Sequence, residues 1–421
     1  MAGCHLRQIV KSNALFSRIL SRNIQHTSVC LTSCRTLTNH EHKQLERQCV
    51  PTDCRKIINR HSSTKSSDSE NSASRRQALM YAIYGSFALG ACLWFAIFLK
   101  WFKKKRLLLR GIQSMYVPEF KKLELYKYKD FVLPEFVINT LDDIEKFDTC
   151  ADDIWVVSFP RSGTTWIQEI VYLINNNANT HAADCSFLDN RFPYLEFMTP
   201  GVKEIEKMQK PRFIKSHLPY SLLPTSVHEK KPKIVYIARN AKDVAVSYYY
   251  FVRLLYPVTR YDAEFKDFFE LFVNDKVMYA PWSKHVQEFW ENRNEDNIFF
   301  LTYEDLKRDT AGTIDRLANF FGKSLTKEQT NTIMRYCSFE NMKINPTTNH
   351  SWFETYGVAD FKKGDFIRKG CVGDWANHFD EHMNNKMNSM IAYRFMNSDL
   401  EFSYRGTHFV ESDDKTVDSS E

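Results

Sequence analysis

The chain is 421 residues long, with 43% hydrophobic and 14% aromatic side chains, enough to bury a large core, so wholesale disorder, collagen and a coiled coil are excluded. Its net charge of +6 is unevenly divided: residues 1–79 carry 13 Lys/Arg against 5 Asp/Glu, residues 80–110 carry 6 against none, and the remainder carries 38 against 46. The globular part is therefore acidic, which argues against a nucleic-acid-binding core.

The first 40 residues contain no Asp or Glu, and Arg7, Lys11, Arg18 and Arg22 share one helical face opposite Leu6, Ile9, Val10, Phe16 and Leu20. That is the pattern of a mitochondrial transit peptide, with a plain basic leader as the alternative. Residues 1–78 are expected to be a polar, basic and largely disordered extension, ending in the solvated linker HSSTKSSDSENSAS at 61–74. Cys30, Cys34, Cys49 and Cys54 are spaced too loosely to define a zinc site.

Leu79–Leu99 is a run of 21 residues without a charge, which as a helix spans the roughly 30 Å hydrocarbon core of a bilayer. Tyr81, Tyr84, Trp94 and Trp101 lie towards its ends, as interfacial anchors do. A single transmembrane helix over 79–99 is predicted. Small residues at Ala82, Ser86 and Gly90 would let two such helices approach closely. Lys100, Lys103, Lys104, Lys105, Arg106 and Arg110 in the juxtamembrane linker 100–115 outweigh Arg75 and Arg76, which places the following domain on the cytosolic or mitochondrial matrix side. A Golgi type II arrangement is the alternative. The sparse cysteines of the globular part (Cys150, Cys185, Cys337, Cys371), without C-x-x-C spacing, and a lone glycosylation acceptor at Asn349-His350-Ser351 speak against a lumenal domain.

Residues 116–409 alternate short apolar runs with helical patterns. Strands are predicted at Ile154–Phe159, Arg212–Lys215, Lys233–Ile237 and Asn297–Thr302, with helices at Thr164–Asn175, Ala241–Phe251, Ala280–Asn292 and Thr310–Phe321. Alternation of this kind gives an α/β fold with a central parallel sheet flanked by helices, and ligands at the carboxyl ends of the strands. The tail 410–421 is acidic and expected to be disordered.

At the end of the first strand the chain reads Pro160-Arg161-Ser162-Gly163-Thr164-Thr165 and then enters a helix. A glycine turn feeding a helix N-terminus aims backbone N–H groups and hydroxyls at one point beside a cation, which suits a phosphate or sulfate. A true Walker loop needs four residues between its glycines and a following Lys, so an ATP or GTP hydrolase is disfavoured.

With SFPRSGTTW at 158–166, IKSHLP at 214–219, RNAKDVAVSYYYF at 239–251, LTYEDL at 301–306 and RKGCVGDWANHF at 368–379, the chain resembles the cytosolic sulfotransferases across roughly 290 residues, with the motifs in family order. The resemblance implies a P-loop-like sulfotransferase fold and transfer of a sulfonate from 3′-phosphoadenosine 5′-phosphosulfate (PAPS) to a hydroxyl or amine of a small lipophilic acceptor such as a phenol or alcohol. It places the 5′-phosphosulfate on Arg161, Ser162, Gly163, Thr164 and Thr165, with Trp166 near the adenine. The 3′-phosphate falls to Arg239, Ser247, Arg368, Lys369 and Gly370, where guanidinium forks and backbone N–H groups match phosphate oxygens. Tyr303, Phe339, Met342 and Cys337, the last in place of the family's Thr, surround the adenine.

His217 corresponds to the general base, as suits an imidazole that must take a proton from a hydroxyl near neutral pH. Arg161, where the family commonly has Lys, and Lys215 would stabilise the charge that develops in transfer. Ser247 would hold the donor unreactive until an acceptor arrives. Phe187, Phe192, Tyr194, Phe251 and some of Tyr248–Tyr250 would line the acceptor pocket beside Lys215 and His217. No metal is called for. Asp380 and Glu381 stand where the family's dimer motif has Thr-Val, so a dimer is left undecided. The competing reading is a catalytically weak, membrane-tethered PAPS-binding scaffold, for which Arg161 and Cys337 are the only support.

Overall fold

The computed structural model describes residues 67–198 and 201–404; the transit-peptide pattern, the four N-terminal cysteines and the acidic tail lie outside them. One helix covers Ser67–Leu109 and runs without a break from the polar linker through the uncharged stretch into the basic residues that follow. Leu93, Trp94 and Phe95 are among its exposed apolar side chains. By length and composition, Leu79–Leu109 is apolar enough to cross a membrane.

From Gly111 the chain forms a separate compact unit. It opens with an antiparallel sheet of β1 (Gln113–Met115), β2 (Leu125–Tyr128) and β3 (Phe131–Pro134), in that order. This sheet takes in residues expected as linker and was not foreseen. Its hairpin turns on Lys129 and Asp130, with φ of 46° and 70°. A turn with both central residues left-handed ordinarily announces itself by Asn-Gly, which is absent here.

The main sheet is parallel, with strand order β5-β4-β6-β7, where β4 is Ile154–Val157, β5 Phe213–Ser216, β6 Lys233–Ala238 and β7 Ile298–Thr302. All four residues of β4 are buried, which is why it reads as an unbroken apolar run: a parallel sheet is covered on both faces. Ile154 and Val156 pack with Ile167, Ile170, Val171 and Leu173 of helix Thr164–Asn175 and with Ile314 and Leu317 of helix Thr310–Phe320. Each such fully buried side chain contributes about 1.5–3 kcal/mol.

Helices Thr164–Asn175, Ala241–Leu254, Trp282–Glu291 and Thr310–Phe320 fall where the pattern put them. The third starts two residues late because Pro281, which has no N–H to give a preceding turn, sits at its N-cap. Register then builds the site. Val157 pairs with Ser216 on one side and Tyr236 on the other, and Ala238 pairs with Thr302. The residues leaving the strands, Ser158, His217, Arg239 and Tyr303, therefore emerge at one edge of the sheet.

Candidate active site

The loop after β4 is strained where it must turn. Arg161 has φ 72° and Gly163 has φ 103°, and a Cβ at Gly163 would lie 2.7 Å from Tyr303 Cδ2. Ser158 and Thr164 close the loop through their hydroxyls at 2.6 Å. Arg161 is wedged between the rings of Phe251 and Phe366, each 4.8 Å from its guanidinium carbon, and donates to Ser247 Oγ at 3.2 Å and the Phe366 carbonyl at 2.8 Å. Burial, with Arg239 and Arg368 nearby, pulls its guanidinium down to about 9. Three cations from three distant segments thus act on one spot.

Arg239 donates to the Cys371 carbonyl at 2.7 Å and lies 4.3 Å over the Tyr303 ring. Arg368 lies 4.6 Å over Tyr250 and is bonded to Asp374 Oδ2, while Lys369 is bonded to Asp374 Oδ1. These partners hold the buried Asp374 carboxyl far below the usual carboxylate range, against the opposing effect of burial. Gly370, at φ 63°, leaves room for Phe339: a Cβ there would lie 2.2 Å from its ring. Trp166 meets Tyr303 edge to face at 5.5 Å. Among the described residues, Ser162 Oγ, Trp166 Nε1, Arg239 Nε and Arg368 Nε are buried without a hydrogen-bond partner. Since nearly all buried polar atoms in proteins are paired, four orphans around one loop cluster mark a place for a polar ligand.

His217 leaves β5 with its Nδ1 2.7 Å from the Ser158 carbonyl. A carbonyl only accepts, so Nδ1 carries the proton and Nε2 carries the lone pair. Burial, then Lys215, holds the imidazole well below its ordinary value, so it is neutral at physiological pH and its Nε2 lone pair is free to accept a proton. Tyr194 and Tyr279 flank its ring edge-on at 5.2 and 5.7 Å and bond to each other through their hydroxyls. Behind it, His285 Nε2 donates to the His217 carbonyl at 2.9 Å. Glu196 Oε1 accepts from the His217 backbone N–H at 2.6 Å and from Ser216 Oγ at 3.1 Å, and burial pushes its carboxyl up to about 8. Lys215 lies 4.8 Å over Tyr194; burial lowers its pKa, and Asp189 and Glu196 oppose that.

Thr165 is half-buried at the start of its helix. The expected acceptor aromatics separate. Tyr194 and Phe251 stand beside His217 and Arg161, whereas Phe187 is 40% exposed, and Phe192 is core, packed at 4.9 Å on Phe213. Tyr248 bonds to the Met278 carbonyl, Tyr249 to Arg253, and Tyr250 faces Arg368. Cys337 and Met342 are buried in the apolar cluster behind Tyr303, and burial pushes the Cys337 thiol up. Glu196, Tyr279, Phe366 and Asp374 were not singled out beforehand. Asp374 lay inside a quoted motif, but nothing except their pairing in space separates the four from their neighbours. Cys150, Asp152 and Asp153 could offer ligand atoms to a metal, yet Asp153 already binds the buried Arg212 and the Cys150 N–H.

A family model described as a sulfotransferase domain matches residues 151–399. Sulfotransferase 1E1 of Homo sapiens is 37% identical over 292 residues, which is 68% of this chain and 97% of that protein. Sulfotransferase 1C2 of Homo sapiens is 35% identical over 286 residues, 67% of this chain and 96% of its own. Among solved structures, retinol dehydratase in complex with androsterone and the inactive cofactor PAP matches with TM-score 0.64 and 29% identity, over 69% of this chain and 97% of that one. Mouse sulfotransferase SULT7A1 complexed with PAP matches with TM-score 0.54 and 30% identity, over 65% and 95%. The chain belongs to the sulfotransferase family, and its reaction is sulfonate transfer to a small-molecule acceptor.

Proposed function

We propose that the chain takes its sulfonate from PAPS and passes it to a hydroxyl or amine of a small lipophilic acceptor, with His217 as general base, while tethered to a membrane by the helix that includes Leu79–Leu99. The observation that carries this reading is the convergence of Arg161, Arg239 and Arg368 beside buried orphan donors, next to an imidazole whose free nitrogen is Nε2. An adenosine bearing anions at both ends fits that set: hydroxyl and guanidinium donors for its phosphates, an indole N–H and rings for its base. The PAP carried by two of the structural neighbours supports the same donor.

When bound, the donor would supply a sulfonate on an activated phosphate–sulfate anhydride, whose S–O bond to the 5′-phosphate breaks to leave PAP. Its 5′ end is held by Arg161 to Thr165, and its 3′-phosphate by Arg239, Ser247, Arg368, Lys369 and the Gly370 backbone. Trp166, Tyr303 and Phe339 take the adenine, backed by Met342 and Cys337. His217 Nε2 removes the acceptor's proton, and Lys215 and Arg161 offset charge on the group in flight, an effect worth several kcal/mol in a dry site. Even at about 9, Arg161 stays charged at neutral pH, so replacing the family's Lys keeps the cation. Lys100 to Arg110 set the catalytic unit on the cytosolic or matrix side.

Incubation of the full chain in membranes with labelled PAPS and a panel of phenols tests this. Transfer by the parent, and loss of about 10²–10⁴-fold in kcat in His217→Ala with PAP still bound, is the expected result. Donor binding without transfer to any acceptor, or parental rates in the variant, would overturn it.

A further inference from the structure

Asp189 is a carboxylate the reaction does not account for. It sits on the short helix Leu188–Arg191, five residues before Tyr194, whose segment bridges to β5 at Lys215. Its Oδ2 accepts from Trp352 Nε1 at 3.1 Å and stands 3.4 Å from His350 Nε2. His350 is buried, and its Nδ1 lies 2.9 Å from the Thr348 carbonyl, so that nitrogen is also a donor. Asp189 Oδ2 therefore faces the other ring nitrogen. The His350 ring stacks on Phe366 at 4.0 Å, and Phe366 in turn lies under the Arg161 guanidinium at 4.8 Å. Asp189 is thereby linked through His350 and Phe366 to Arg161 in the charge cluster, and Lys215 is a cation whose field reaches it.

Only half of this carboxylate is used. Oδ1 has no hydrogen-bond partner among the described residues, and the side chain is 18% exposed. Oδ1 is not among the buried unpaired atoms, so it reaches solvent and is open to a donor supplied by a ligand. Against burial, His350, Lys215 and Trp352 hold the carboxyl down at about 2, so it is ionised wherever the enzyme works.

We propose that Asp189 is a specificity-determining residue of the acceptor site, its Oδ1 taking a hydrogen bond from a second donor group on the acceptor, a hydroxyl or a protonated amine away from the hydroxyl that is sulfonated. The inference rests on reading Lys215 and His217 as the reacting end of that site. Because Lys215 already offsets the charge of Asp189, the site does not demand a cation, and a neutral hydroxyl serves as well as an ammonium. The acceptors favoured are thus phenols with a polar, hydrogen-donating tail, and the lipophilic ring is only part of what is read.

The test uses the full chain in membranes, PAPS, and three phenols with tails of equal length ending in hydroxyl, ammonium or methyl. The reading is the ratio of kcat/KM between each polar tail and the methyl tail. A preference of about ten-fold is expected in the parent, as for a site built to bond a donor. Asp189→Leu collapses both ratios towards one. Asp189→Asn separates the two chemistries: its carbonyl turns to Trp352 and His350, leaving an NH2 that a hydroxyl can accept from but an ammonium cannot, so only the hydroxyl preference survives. If Asp189→Leu fails to fold, Asp189→Asn still decides. Ratios equal to the parent's in the folded variant, or no polar preference in the parent, overturn the proposal. His217→Ala in the same assay keeps the two readings apart: an inactive His217→Ala with unchanged Asp189 ratios sinks the specificity proposal alone, and an active one sinks the base assignment.

Discussion

Gly163→Ala probes whether the anion loop depends on the close approach of its backbone to Tyr303. Two separate costs can be worked from the geometry. The residue has φ 103°, which an L side chain adopts at a cost of about 1–2 kcal/mol. The added methyl would also lie 2.7 Å from Tyr303 Cδ2 and 3.2 Å from both Tyr303 Cε2 and Ile237 Cδ1, and such overpacking costs about 1–3 kcal/mol. Together these predict about 3 kcal/mol, or a fall in Tm of roughly 5–10 °C. Gly322→Ala is the internal comparison, since that glycine has φ 65° but open space around its Cβ, and so isolates the conformational cost at about 1 kcal/mol. The clash has a functional signature as well. Tyr303 can yield only by disturbing Arg239, 4.3 Å over its ring, and Trp166, 5.5 Å away, so PAP binding measured by calorimetry weakens in Gly163→Ala and not in Gly322→Ala. If both variants melt together and bind PAP like the parent, the close-approach argument is wrong.

Asp374→Asn removes the anion that Arg368 and Lys369 share, and breaking such a pair by losing one partner costs about 2–5 kcal/mol. PAP should then raise the melting temperature of the variant more than that of the parent, because its 3′-phosphate supplies the missing charge; an equal or smaller shift refutes the assignment of these cations. Burial lowers His285 to about 4, so between there and the ordinary value of about 6.5 the unfolded chain binds a proton that the native chain refuses, and this contribution to stability falls as pH drops through the window. Glu196, lifted from 4.5 to about 8, acts in the opposite sense across an overlapping window, so the quantity to read is the stability difference between parent and His285→Gln. That difference should change by about 3 kcal/mol between pH 7 and pH 4 in denaturant titrations, and a flat difference refutes a neutral buried His285. For the tether, protease treatment of sealed organelles should digest the catalytic unit wherever it faces the cytosol, and carbonate washing should leave the chain with the membrane; release into the wash refutes a spanning helix.

The main sheet was legible because parallel strands buried on both faces must be apolar runs, and Ile154–Val157 and Lys233–Ala238 could hardly be anything else. The anion loop was legible for a different reason: Gly163 and the paired threonines are there for backbone geometry, which leaves a local signature. The small sheet was not, since its turn rests on Lys129 and Asp130, residues that carry no turn signal. Nor could the acceptor aromatics be sorted, because Phe192 and Tyr194 sit two residues apart yet point to the core and to His217. Charge partners such as Asp374, Glu196 and Asp189 are invisible in one dimension, where an acid held by Arg368 and Lys369, by the His217 N–H or by the Trp352 indole looks like any surface acid.

The atom that sets which nitrogen of His217 is basic belongs to the main chain, the carbonyl oxygen of Ser158. Swapping side chains one at a time along the protein leaves that oxygen where it is, so a scan of point substitutions will underrate what governs the basicity here. Inserting or deleting a residue near the ends of the two neighbouring strands would slide the peptide group out of reach and silence the imidazole with every motif still spelled in full.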